Sequence, residues 1–123
     1  MVKIIETDQK IPLFTQMEDQ GGPIRIINIF TVAPEEVEQI LQTSAADAHI
    51  MKRQPGFISA QLHRGIAGSG VFANYAVWES PNHFKQAYNN PEFQAVIARY
   101  PASVTASPHI FRTVAVLGIC LDG

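Results

Sequence analysis

Proline and glycine cut this chain at intervals that leave little freedom in the order of its elements. Gly21-Gly-Pro23, Pro34, Pro55-Gly56, Gly65-Ile-Ala-Gly-Ser-Gly70, Ser80-Pro81, Asn90-Pro91, Pro101 and Pro108 separate apolar segments. Each break has a mechanism: proline fixes φ and lacks a donor, and glycine costs the most entropy to hold in a helix or strand. Between the first two breaks runs Ile24-Arg-Ile-Ile-Asn-Ile-Phe-Thr-Val32, β-branched and apolar, the composition of a central strand. Pro34 followed by Glu35 and Glu36 begins a helix, with proline in the first turn and carboxylates at the positive end. Val37, Ile40, Leu41, Ser44, Ala48 and Met51 then recur at helical spacing, Lys52 and Arg53 suit the helix end, and Pro55-Gly56 stops it.

The segments 57–64 and 71–79 read as two strands joined by the glycine-rich loop, a hairpin. Ser80-Pro81 caps a short helix carrying Phe84 and Tyr88, and Asn90-Pro91 starts another carrying Phe93, Val96 and Ile97. Ile110 to Leu121 reads as the last strand. The order predicts an α+β fold, a ferredoxin-like βαββαβ antiparallel sheet with its first and third strands paired at the centre and helices on one face. A second copy of the chain is the simplest cover for the other face, so a homodimer is expected. Residues 1–23 form an N-terminal arm that either adds an edge strand or lies over the partner, and residues 24–123 form the domain.

The 123 residues suit one domain, with 46% hydrophobic and 16% charged residues, an apolar balance that also suits an oligomer. A formal net charge of -2 without any dense basic stretch argues against nucleic acid and anionic membrane surfaces as partners. No apolar segment approaches the roughly 20 residues that span a bilayer. A lone cysteine, Cys120, excludes an internal disulfide, argues for a reducing compartment and is expected as a buried small hydrophobe. The alternation of Lys3, Glu6, Asp8 and Lys10 with apolar residues is not the layout of a secretion signal, and a cytoplasmic location is expected.

Strand alternation groups Ile26, Asn28, Phe30 and Val32 on one side of the first strand, and Phe72, Asn74, Ala76 and Trp78 on one side of the third. Taken singly, each asparagine could satisfy a backbone group and Trp78 could be plain core. Together on one face they describe an aromatic-lined pocket with polar groups that are costly to bury unpaired. The four histidines, His49, His63, His83 and His109, match no metal motif. Alternation would set His63 on the side of Phe57, Ser59 and Gln61. The glycine loop leads into a strand, so it offers no helix N-terminus for a phosphate, and there is no nucleophile elbow.

Three pieces resemble the antibiotic biosynthesis monooxygenase family of dimeric α/β barrels. They are Ile27-Asn-Ile-Phe-Thr-Val32 with Pro34-Glu35, Gln54-Pro-Gly-Phe-Ile58, and Asn74-x-x-x-Trp78-Glu-Ser80 with Phe84 and Pro91-Glu-Phe93. The resemblance covers roughly residues 24–116 and implies a pocket between sheet and helices in each subunit of a dimer. It also implies oxidation of a small phenolic or quinol-like aromatic compound by O2 without metal, flavin or other cofactor. By that resemblance Asn74 and Trp78 are the expected catalytic residues, holding the substrate oxyanion. Asn28, Phe30, Phe72, Phe84 and Arg99 are the expected substrate-binding residues. The family places an arginine on the helix before the last strand, and Arg99 lies about one position from the match. A haem-degrading branch uses a first-strand asparagine, which Asn28 fits, and a histidine ligand where this chain has Ile97. A non-catalytic ligand-binding or dimeric interaction protein of the same fold is the alternative.

Overall fold

Residues 2–121 are described by a computed structural model. The elements are β1 (Lys3–Ile4), α1 (Leu13–Gln16), β2 (Ile24–Thr31), a 3-10 turn (Pro34–Glu36) running into α2 (Val37–Lys52), β3 (Phe57–Arg64), β4 (Val71–Trp78), α3 (Pro81–Tyr88), α4 (Pro91–Ile97) and β5 (Thr105–Phe111). The five strands lie in the order β1-β5-β2-β4-β3. Leaving β1 aside, this is the ferredoxin-like α+β arrangement, with β2 and β4 antiparallel at the centre. Elements start where the sequence supplies a cap. The Ser80 hydroxyl accepts from the His83 N–H at 3.1 Å, and Asn90 Oδ1 accepts from the Glu92 N–H at 2.8 Å. The arm supplies the edge strand, β1 pairing in parallel with β5 through Lys3↔Thr105 and Ile4↔Ala106. Leu13 and Met17 then anchor the arm in the core.

The last strand is a correction to the sequence expectation. It spans Thr105–Phe111, includes Pro108, and ends before 112–121. Pro108 is tolerated because residues of its parity point their backbone groups away from β2. The Ala106 carbonyl accepts from the Ile5 N–H at 2.8 Å, and the Ile110 N–H donates outward to Gln16 Oε1 at 2.7 Å. At Pro108 no ladder donor is needed, as edge positions allow. Cys120 is likewise not buried: it is exposed in a tight turn closed by a Val116↔Cys120 bridge.

A bulge between Phe57 and Ser59 changes which side chains of β3 face the helices. Phe57, Ala60 and Leu62 face the cavity under the helices, so His63 is not on the side of Phe57 as simple alternation expects. The core divides into two clusters. One holds Ile24, Ile26, Ala76, Trp78, Phe84 and their neighbours, and the other holds Phe30, Val32, Ile40, Phe72, Val104 and Ala106. Asn28 and Asn74 stand between Ile26 and Phe30 and between Ala76 and Phe72 along their strands, so the polar pair marks the division. The outer face of the sheet leaves Ile29, Val71, Tyr75 and Phe111 exposed.

Candidate functional site

Between the sheet and the helices lies a cavity of about 390 Å3. One row of residues crosses its floor: Leu62 pairs with Asn74, Asn74 with Asn28, and Asn28 with Pro108, and all four line the cavity. Directly opposed side chains on neighbouring strands have Cβ atoms about 5 Å apart, so both amides can converge on one ligand atom. Asn28 Oδ1 is buried and has no hydrogen-bond partner. An unsatisfied buried acceptor costs about 1–3 kcal/mol, and turning the amide so that Oδ1 faces the cavity would let a ligand hydroxyl relieve it. A half-turn of the amide exchanges Oδ1 and Nδ2, so the same position can accept from a phenol or donate to a phenolate.

Trp78 closes one end and begins a run of aromatic contacts. Ring centroids are 5.4 Å apart for Phe57–Trp78, 5.8 Å for Trp78–Phe84, 5.9 Å for Phe84–Tyr88 and 5.7 Å for Tyr88–Phe93. All five rings line the cavity. Edge-on packing of this kind fixes ring orientation. The wall is thus apolar and flat-sided, and suits an aromatic guest.

The structure brings Asn28, Phe30, Asn74, Trp78 and Phe84 together around this space. Two expected residues stand elsewhere. Phe72 is buried beside the cavity in the second core cluster, stacked on Phe30 with centroids 5.3 Å apart, and is not a lining residue. Arg99 is exposed and does not line the cavity, because it falls just after the end of α4.

Sequence reasoning missed a polar group on the opposite wall. Asp47 of α2 lines the cavity, and the Tyr100 hydroxyl donates to its Oδ2 at 3.3 Å. That hydroxyl also lies 3.1 Å from Ser44 Oγ. Burial pushes the Asp47 carboxyl up to about 6, opposed in part by the Tyr100 hydrogen bond. The Tyr100 hydroxyl is pushed well above the ordinary tyrosine range, first by burial and then by the Asp47 charge. One signal was available. Asp47 lies in Ala45-Ala-Asp-Ala48, three residues after Ser44 and four before Met51, on the apolar and small face of the helix.

None of the four histidines lines the cavity, and Ile97 does. The histidine that the resemblance implies for a haem-degrading site is replaced by Ile97 and no other histidine lines the cavity, so the residues do not fit a haem. Among the described residues no cluster of three metal-ligating side chains occurs.

The fold is similar to those of solved oxygenases. The crystal structure of SnoaB, a cofactor-independent oxygenase from Streptomyces nogalater, superposes with a TM-score of 0.68 at 29% identity, covering 80% of this chain and 99% of that one. A candidate monooxygenase from Shewanella loihica PV-4 gives a TM-score of 0.65 at 26% identity, covering 80% and 100%. MhuD, in a variant with two manganese protoporphyrin IX molecules bound per active site, gives 0.61 at 28% identity, covering 77% and 98%. No curated protein sequence matches significantly. The profile described as "Antibiotic biosynthesis monooxygenase" matches residues 23–99, which hold Asn28, Asn74, Trp78 and most of the cavity, and this protein belongs to the antibiotic biosynthesis monooxygenase family.

Proposed function

We propose that this protein is a cofactor-independent monooxygenase that oxidises a small phenolic or quinol-like compound with O2, working as a cytoplasmic homodimer. The observation that carries the reading is the unpartnered Asn28 amide facing Asn74 across the floor of an aromatic-walled cavity. Two amides and an indole N–H in an otherwise apolar space are suited to a ring bearing one oxygen that becomes an anion. The likeness to SnoaB supports an oxygenase needing no cofactor. The exposed apolar outer face of the sheet supports the dimer.

The chemistry balances without a cofactor. Loss of the hydroxyl proton leaves an electron-rich phenolate, which passes one electron to O2 and then joins the resulting superoxide at the para carbon. Protonation of the peroxide anion gives a hydroperoxide. Loss of the carbon-bound hydrogen with the outer oxygen, as water, leaves a quinone. The protein's part is to orient the ring, exclude bulk water and hold the anion through Asn28, Asn74 and Trp78.

The test is rapid mixing of a deoxygenated protein–1-naphthol complex with O2. One O2 should disappear for each 1,4-naphthoquinone formed, with one atom of labelled oxygen in the product. Asn74→Ala and Trp78→Phe should each slow the step about 10-fold or more, since one oxyanion donor is typically worth about 100-fold. Oxygen uptake no faster than in buffer would overturn the reading, and tight naphthol binding without uptake would instead mark a non-catalytic ligand-binding protein.

A further inference from the structure

We propose that Asp47 is the proton acceptor of this site: its carboxylate takes the hydroxyl proton of a bound phenol, and Tyr100 holds the carboxylate in position. The oxygen steps after the transfer rest on the monooxygenase reading; the transfer itself does not.

The cavity has two polar walls and only one of them can accept a charge-assisted proton. Asn28 and Asn74 on the floor are neutral at any pH, whereas Asp47 enters from α2 with Ser44, Ala48 and Met51 on the same helical face. The Tyr100 bond engages Oδ2, so Oδ1 remains for a ligand. None of the ion pairs found among the described residues includes Asp47. Asp47 also sits in the middle of a helix running from Val37 to Lys52, where the dipole of the first turn does not reach. A structural carboxylate would normally have a cation or a ring of N–H donors. This one has a single phenolic donor and an open cavity.

The groups facing it are few. Tyr100, following α4, touches it; the Arg99 charge reaches Tyr100, but that side chain is exposed. Tyr88 lines the same cavity and its hydroxyl is raised by burial and by the Glu6 charge. On its own helix His49 is exposed. Burial therefore dominates, and it lifts the carboxyl to about 6. Such a group remains mostly ionised at neutral pH and is about 100-fold more basic than an ordinary aspartate. The proton it takes returns to the peroxide anion formed when O2 adds to the ring, so the carboxylate ends the cycle unchanged.

The test has a binding arm and a turnover arm. Calorimetric titration without O2 compares 1-naphthol with 1-methoxynaphthalene, which has no acidic proton, between pH 4.5 and 8. Wild-type affinity for 1-naphthol should rise about 10-fold through pH 6, as a charge-assisted acceptor forms, and stay flat for the methoxy compound. Asp47→Asn keeps the shape and the Tyr100 contact, and should flatten the naphthol profile. Tyr100→Phe should keep the profile but move its midpoint upward, since the hydrogen bond that lowers the carboxyl is gone. In turnover, Asp47→Asn should lower kcat about 100-fold or more while leaving methoxynaphthalene affinity unchanged. A flat wild-type naphthol profile, or a kcat within about 3-fold in Asp47→Asn, would overturn the assignment. A pH-dependent naphthol profile with no O2 uptake would sink the monooxygenase reading and still support Asp47 as the acceptor.

Discussion

Replacing Asn28 by leucine should make the protein more stable and less able to bind its ligand. Leucine has the same branching at Cγ, so two methyl groups take the place of the amide with little change of shape. The amide has an oxygen that is buried without a partner, and such a group costs about 1–3 kcal/mol. The substitution also joins the two apolar clusters that Asn28 separates. An unfolding entropy of about 2.1 cal/mol/K per residue, over 123 residues, gives about 0.26 kcal/mol per degree at the midpoint. The expected rise in Tm is therefore about 4–12 °C. Calorimetric scans of wild type and Asn28→Leu at one protein concentration and pH 7.5 measure it directly, the fixed concentration removing any contribution from association. The same variant should lose affinity for 1-naphthol. An unchanged or lower Tm would refute the reasoning, because it would mean that Asn28 is already satisfied and that its position between the clusters is structural.

Three further perturbations test separate parts of the structure. Asp47 has its carboxyl raised from 3.8 to about 6 by burial, so the folded state holds a proton that the unfolded state releases. Stability is thus fully present below about pH 4 and falls as pH rises to about 6, by up to about 3 kcal/mol at 1.36 kcal/mol per pH unit. Urea titrations should show Asp47→Asn more stable than wild type at pH 7.5 and the gap shrinking near pH 4. Gly56 has φ +87° and a Cβ there would collide with the His83 side chain, so Gly56→Ala should lower stability by more than about 1 kcal/mol, read as a drop in Tm. Tyr75 lies on the outer sheet face and is 39% exposed, so Tyr75→Glu should convert a dimer to monomer in sedimentation, with the fold retained by circular dichroism.

Much of the frame was legible because its signals are local. Helix starts at Pro34, Ser80-Pro81 and Asn90-Pro91, and the hairpin around the glycine loop, stand where residue chemistry puts them. What was not legible depends on neighbours distant in sequence. Pro108 reads as a break, yet it sits within β5 because its nitrogen faces the uncovered edge beyond β1. The bulge at Phe57/Ser59 reverses part of β3, and nothing between Gly56 and Ala60 announces it. The site shows the same division. Asn28, Asn74 and Trp78 follow from alternation along two central strands, whereas Asp47 acquires its character from burial under elements distant in the chain, with its hydrogen-bond partner Tyr100 lying 53 residues away. Its only local mark is a carboxylate on a face of small and apolar residues.

The cavity volume itself limits how this protein can exist without a ligand. At about 24 cal/mol per Å3, a dry void of about 390 Å3 would cost about 9 kcal/mol, comparable to the whole stability of a typical domain. A closed dry cavity of that size is therefore untenable, and the walls indicate how it is avoided. Ile4 on the arm and Leu41 on α2 both line the space and are 43% and 41% exposed, so they mark its mouth. Water can enter there and meet Asn74 and Asp47, groups that would be too costly to keep in a sealed apolar core, while Asn28 Oδ1 stays out of its reach. The aromatic guest with one hydroxyl proposed above would displace that water from the apolar walls, where water binds poorly. It would keep hydrogen bonds where water binds well. The asparagine row splits the core at this space, and on the proposed function it would also select what fills it.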